Sequence, residues 1–208
     1  MAITPPTFDL VDTPYAASGA VMNYLQNFVV ISICYVIAYS LTFGFVFPLQ
    51  QLILANVATQ VGLLFIPHGV RVIALYYYGW RAIIYLLPAS YLMLFLSSGQ
   101  TGTDIYAPLV STLGCYVGIQ LVRLMLVDTN TRSLNVRAWK LLFTAGAVAS
   151  VFNSFGLTAM QNGLNKMTFL ALKLNFLGYI IGDMLGMMLC VATIMLGFRY
   201  IRSIKSSA

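Results

Sequence analysis

Long uncharged apolar runs separated by short polar links set the pattern of this chain. Phe28 to Phe47 is twenty residues without a charge, long enough at about 1.5 Å per residue to span the roughly 30 Å hydrocarbon core of a bilayer. Leu52 to Gly79 follows as a 28-residue apolar stretch interrupted at Pro67 and Gly69. A missing backbone donor and a residue without a side chain predict one broken helix there. Ala82 to Ser97 makes a third span, with Pro88 as a further interruption, and the polar link Ser97 to Asp104 turns the chain. Ile105 to Val127, Leu141 to Met160 and Leu174 to Phe198 give three more, joined by a basic loop from Asp128 to Lys140 and a turn from Gln161 to Lys166. The pattern predicts an all-α fold: a polytopic membrane bundle of about six transmembrane helices, the second broken at Pro67-Gly69. It forms a single domain over residues 1–208, with 1–27 as an N-terminal segment.

Composition agrees with the pattern. The chain is 60% hydrophobic and 8% charged, with a mean hydropathy of +0.88, whereas water-soluble domains carry about 25% charged residues. This excludes a soluble domain. The net charge of +6 arises from eleven Lys and Arg against five acidic residues, all of them Asp. The basic residues gather at Arg81, at Arg132, Arg137 and Lys140, and at Arg199, Arg202 and Lys205, and are missing from Ser97 to Asp104. Such asymmetry marks cytoplasmic loops of a bacterial inner-membrane protein rather than a nucleic-acid surface. It places both termini inside; a re-entrant hairpin at Leu52 to Gly79 would move the N-terminus outside and leave the later helices unchanged. Trp80 and Trp139, with Tyr76 to Tyr78, lie where an interfacial aromatic belt is expected. Met1 to Asn27 contains Asp9 and Asp12 but no Lys or Arg, so the first apolar run is expected to be a retained span, not a cleaved leader.

Chemistry enters through the few polar residues inside the spans. An unpaired charge at mid-membrane is unfavourable by about 2.5 to 3.5 kcal/mol on insertion scales, so Arg71 and Asp183 require partners or water. A direct ion pair between them is the simplest expectation, and it would tie the broken second helix to the sixth. Together with His68 they form a candidate polar cluster, either structural or ligand-binding. His68 is the sole histidine, which excludes a multi-histidine metal centre. Alone it suits either an axial ligand of a haem or chlorophyll pigment, or a cap for backbone groups freed at the break. Cys34, Cys115 and Cys190 lie apart within apolar runs and read as small core hydrophobes. Gly178, Gly182 and Gly186, and likewise Gly114 and Gly118, strip one face of a helix for close packing. Asn153, Asn175 and Arg123 carry no assigned chemistry. No nucleophile with a base, paired carboxylates or phosphate-cradling loop is present, so no catalytic residue and no metal ligand is assigned and an enzyme is not expected.

A Pro-x-Gly break followed by Gly79 and Arg81, and much later Gly182-Asp183 with Gly186, resembles the MASE1 integral membrane sensory domain. Ile66-Pro67 stands here in place of that family's Trp-Pro. In general architecture the family is similar to the vitamin-uptake S-components of transporters. The resemblance implies a sensory or small-ligand-binding membrane protein acting through a partner chain, with Pro67, Gly69, Arg81, Gly182, Asp183 and Gly186 as the corresponding positions. Two other readings remain open: an accessory or structural subunit of a larger membrane complex, with or without pigment, and an S-component-like transporter subunit. A sensor or S-component-like capture subunit demands an enclosed polar pocket reached from outside; an accessory subunit would instead be packed solid.

Overall fold

A computed structural model describes residues 14–53, 62–97, 104–125, 136–165 and 168–207. Parts of the N-terminal segment, of the second apolar stretch (54–61) and of the links at 98–103, 126–135 and 166–167 therefore lie outside the described residues. Over the described residues the chain is a bundle of six helices. Helix α1 comprises Pro14–Leu41, a π-helical turn at Thr42–Val46 and Phe47–Ile53. Then follow α2 (Ile66–Tyr78), α3 (Arg81–Ser97), α4 (Ala107–Met125), α5 (Val136–Asn165) and α6 (Phe169–Ser207). Four helices are long and apolar enough to cross a membrane: Met22–Ile53, Ala107–Met125, Trp139–Gly163 and Phe169–Ile204. Their outward side chains, among them Ile33, Ile37, Leu113, Val117, Leu185 and Met188, are apolar and exposed, the surface a lipid-embedded protein needs.

Local sequence explains the irregular points. Pro48 lacks a donor and its ring crowds the carbonyl one turn back. Just ahead of it α1 widens into the π turn, where the Phe47 N–H bonds the Thr42 carbonyl. Helix α2 starts at Ile66 with Pro67 in its first turn, where a missing N–H leaves nothing unpaired and the fixed φ favours helix. It stops at Gly79, whose φ of +60° suits glycine and whose N–H bonds the Leu75 carbonyl at 2.9 Å.

The helices alternate in direction. Along α1, Asn27, Tyr35 and Thr42 meet Tyr78, Arg71 and Ile66 in turn, so α1 and α2 are antiparallel. Ser32 and Tyr39 meet Tyr85 and Ser97 on α3, and Ser111 and Arg123 on α4 meet Arg71 and Tyr76. Gly114 and Gly118 lie against Asn153 and Ala149 on the antiparallel α5. The α6 helix runs parallel to α2, with Gly186 beside Phe65 and Cys190 beside Gly69. The start of α1 and the end of α6 consequently share the face that carries Tyr78 and Trp80.

The thirteen-residue α2 is too short to cross a bilayer, at about 20 Å, yet it touches all five other helices. It is the centre of the bundle. Pro67, His68, Gly69, Arg71, Val72, Ala74 and Leu75 are buried on it, so its ionisable residues are screened from lipid by neighbours. The break expected in the second apolar stretch thus falls ahead of Pro67, at the non-helical residues Gly62–Phe65. Gly69 does not break anything: it lies inside α2, where a Cβ would stand 2.6 Å from Cys190 Cβ. Its role is close approach to α6.

Candidate functional site: a charged cavity at the helix break

Irregular backbone within a membrane bundle needs partners for every N–H and C=O, or a cavity to line. Over Gly62–Ile66 three N–H groups find theirs on two different helices. The Leu63 N–H donates to Gln50 Oε1 of α1 at 2.7 Å, and the Ile66 N–H to Thr42 Oγ1 at 3.3 Å. On the other side the Phe65 N–H donates to the Gly182 carbonyl of α6 at 2.9 Å, while the His68 N–H turns back to the Phe65 carbonyl at 3.2 Å. The glycine face of α6 is what admits this segment: a Cβ on Gly182 would collide with the Gly62 carbonyl, and one on Gly186 with the Phe65 carbonyl. These two glycines, expected to serve helix-on-helix packing, take unwound backbone instead; Gly178, a turn earlier, is buried on the same helix. Gly114 and Gly118 do pack helix on helix, the latter with room for a Cβ only 2.6 Å from Ala149 Cα.

One turn into α2, His68 and Arg71 project toward opposite partners. His68 Nδ1 lies 3.2 Å from Asp183 Oδ2 and 3.7 Å from Cys115 Sγ. Asn153 Nδ2 donates to the same Asp183 oxygen at 2.6 Å. Arg71 donates through Nη1 to Ser111 Oγ at 2.7 Å and through Nη2 to Tyr35 Oη at 2.9 Å, with its guanidinium carbon 5.6 Å from the centre of the Tyr35 ring. The expected direct ion pair is absent: among the described residues the ion-pair contact is His68–Asp183. The reason is geometric. Three residues after His68, Arg71 extends toward α1 and α4, while α5 and α2 already occupy the near side of the carboxylate. All three residues predicted as a cluster are nonetheless brought together, and each is almost wholly buried.

Between the two charges lies a cavity of ≈ 230 Å³. Arg71, Ser90, Ser111, Asn153 and Asp183 give it a polar floor, and Tyr39, Phe43, Phe65 and Tyr179 are among its upper walls. Among the described residues seven buried side-chain polar atoms have no hydrogen-bond partner, three of them on residues of this lining, Arg71 Nε, Ser90 Oγ and Asn153 Oδ1, and the other four elsewhere in the bundle. Among the described residues no group of three His, Cys, Asp or Glu could hold a metal. His68 is fully enclosed, so a haem or chlorophyll could reach it only by opening the bundle.

Sequence reasoning missed Tyr35, Ser90 and Ser111, and gave Asn153 no chemistry. Hydroxyls are common in membrane helices, and nothing in their spacing separates a cavity wall from a packed face. Asn153 had one usable signal, an amide deep within an otherwise apolar span. The chain matches no family model, and no curated protein and no solved structure matches it significantly.

Proposed function

We propose that this membrane protein captures a small polar solute between Arg71 and Asp183 and passes the event to a partner chain, doing no chemistry of its own. One observation carries the reading: a central cavity whose lining holds two buried residues of opposite charge, Arg71 and Asp183, that do not pair with each other. An accessory subunit packed solid against its neighbours has no use for such a space, which favours ligand capture over that alternative. The resemblance to the MASE1 sensory domain points in the same direction, since Gly182, Asp183 and Gly186 all meet at the cavity or its backbone wall. Orientation belongs to the proposal too. Arg81, Arg123, Arg199 and Arg202 are exposed at the ends of helices on the Tyr78 face, which supports a cytoplasmic assignment for that face and an inner-membrane location. The cavity then lies in the outward half of the bundle.

Thermal unfolding of the protein in lipid nanodiscs, followed across a panel of small solutes, tests the reading. A true ligand raises the midpoint saturably; at one hundred times its Kd it adds about 2.7 kcal/mol. The response should vanish in Ser90→Leu, which fills the cavity. A panel of sugars, organic acids, amines and amino acids that leaves the midpoint unmoved would remove the proposal.

A further inference from the structure

We infer that the solute is a small zwitterion of the kind an apolar α-amino acid forms, with its carboxylate at the Arg71 end of the cavity and its ammonium group at the Asp183 end. This rests on the ligand-capture reading and adds the class of ligand. The two charged side chains face one space but do not pair with each other. Arg71 is held by two hydroxyls, Ser111 and Tyr35, which orient it without neutralising it. Asp183 is held by the Asn153 amide and by His68, and as its Nδ1–H tautomer His68 donates a hydrogen bond without adding a charge. The site therefore keeps a positive pole on its α1–α4 side and a negative pole on its α5–α6 side.

Ser90 and Asn153, both uncharged, complete the polar part of the lining. A simple anion would answer Arg71 but confront Asp183 with like charge. A simple cation fails at the opposite pole. A neutral polyol would leave both charges uncompensated and set hydroxyls against Phe43, Phe65 and Leu157. A dipolar head with an apolar tail matches floor and walls together. At ≈ 230 Å³ the space falls below the roughly 300 to 1,000 Å³ of drug-sized sites, which favours a small ligand.

The test compares four probes by calorimetry on the nanodisc-embedded protein: leucine, phenylalanine, the amine phenethylamine and the acid 3-phenylpropionate. One or both amino acids should bind at least about tenfold more tightly than the amine and the acid. Ser90→Ala, which removes a hydroxyl with no hydrogen-bond partner among the described residues and so leaves the fold intact, should weaken that binding severalfold, and Ser90→Leu should abolish it. Equal binding of the amine or the acid overturns the zwitterion while leaving solute capture standing. So does saturable, Ser90-dependent binding of some other panel member when neither amino acid binds. Failure of every solute removes both conclusions.

Discussion

At the scale of single residues, the bundle keeps its buried charges by dividing them. Asp183 answers to α5 and α2, Arg71 to α1 and α4, and the cavity separates the two sets. Residues sharing one hydrogen-bond network couple by about 0.5 to 3 kcal/mol in double-mutant cycles. Asn153→Ala combined with Asp183→Asn should therefore show a coupling of about 1 kcal/mol or more, and Arg71→Gln with Asp183→Asn less than about 0.5 kcal/mol, read by reversible unfolding in mixed detergent. The reverse ranking would restore the direct pair. Burial physics alone sufficed to single out His68, Arg71 and Asp183, because an ionisable side chain inside a twenty-residue apolar span must be satisfied somehow. Which neighbour satisfies it depends on helix rotation and register, and those are set by tertiary contacts that spacing along the chain does not encode. Hence the residues were legible and their pairing was not.

At the scale of the element, the glycines of α6 mean something other than their spacing suggests. A small-xxx-small face predicts a partner at close range but says nothing of its conformation, and here the partner is Gly62–Phe65. Backbone carbonyls cannot rotate away from a new methyl group as a side chain would. Gly182→Ala and Gly186→Ala should each lower stability by about 1 to 3 kcal/mol, the range for overpacking. Gly163 and Gly197, where nothing lies within 4 Å of the position a Cβ would take, are the controls: alanine there should be neutral or stabilising by up to about 1 kcal/mol. Equal losses at all four would mean that the unwound segment does not lie on α6. Proline position was similarly half legible. Pro67 announced a discontinuity, but only the first-turn preference of proline tells that the helix begins there, and Gly69, read beside it as a second interruption, proves to be a contact point.

At the scale of the whole molecule, apolar periodicity and composition disclosed the class of fold, since a chain with so few charges has no other solvent available. The number of long spans was less evident, because the central helix is half-length and its burial owes nothing to lipid. Alternation of the six helices puts Met22 and Arg202 on one face and Ile105 on the other. In a background with Cys34, Cys115 and Cys190 replaced by alanine, cysteines at positions 22 and 202 should react together with an impermeant maleimide applied from the cytoplasmic side. One at 105 should react from the opposite side. Labelling of 22 and 202 from different sides would break the alternation.

The shortness of α2 has a geometric corollary. The chamber is lined by Gly62 and Phe65 of the unwound segment together with Phe43, Phe47, Leu94, Pro108 and Leu157, so the discontinuity ahead of α2 is itself part of the wall. Void and discontinuity are thus a single architectural decision: a sequence that healed the rod would rebuild the chamber's own wall.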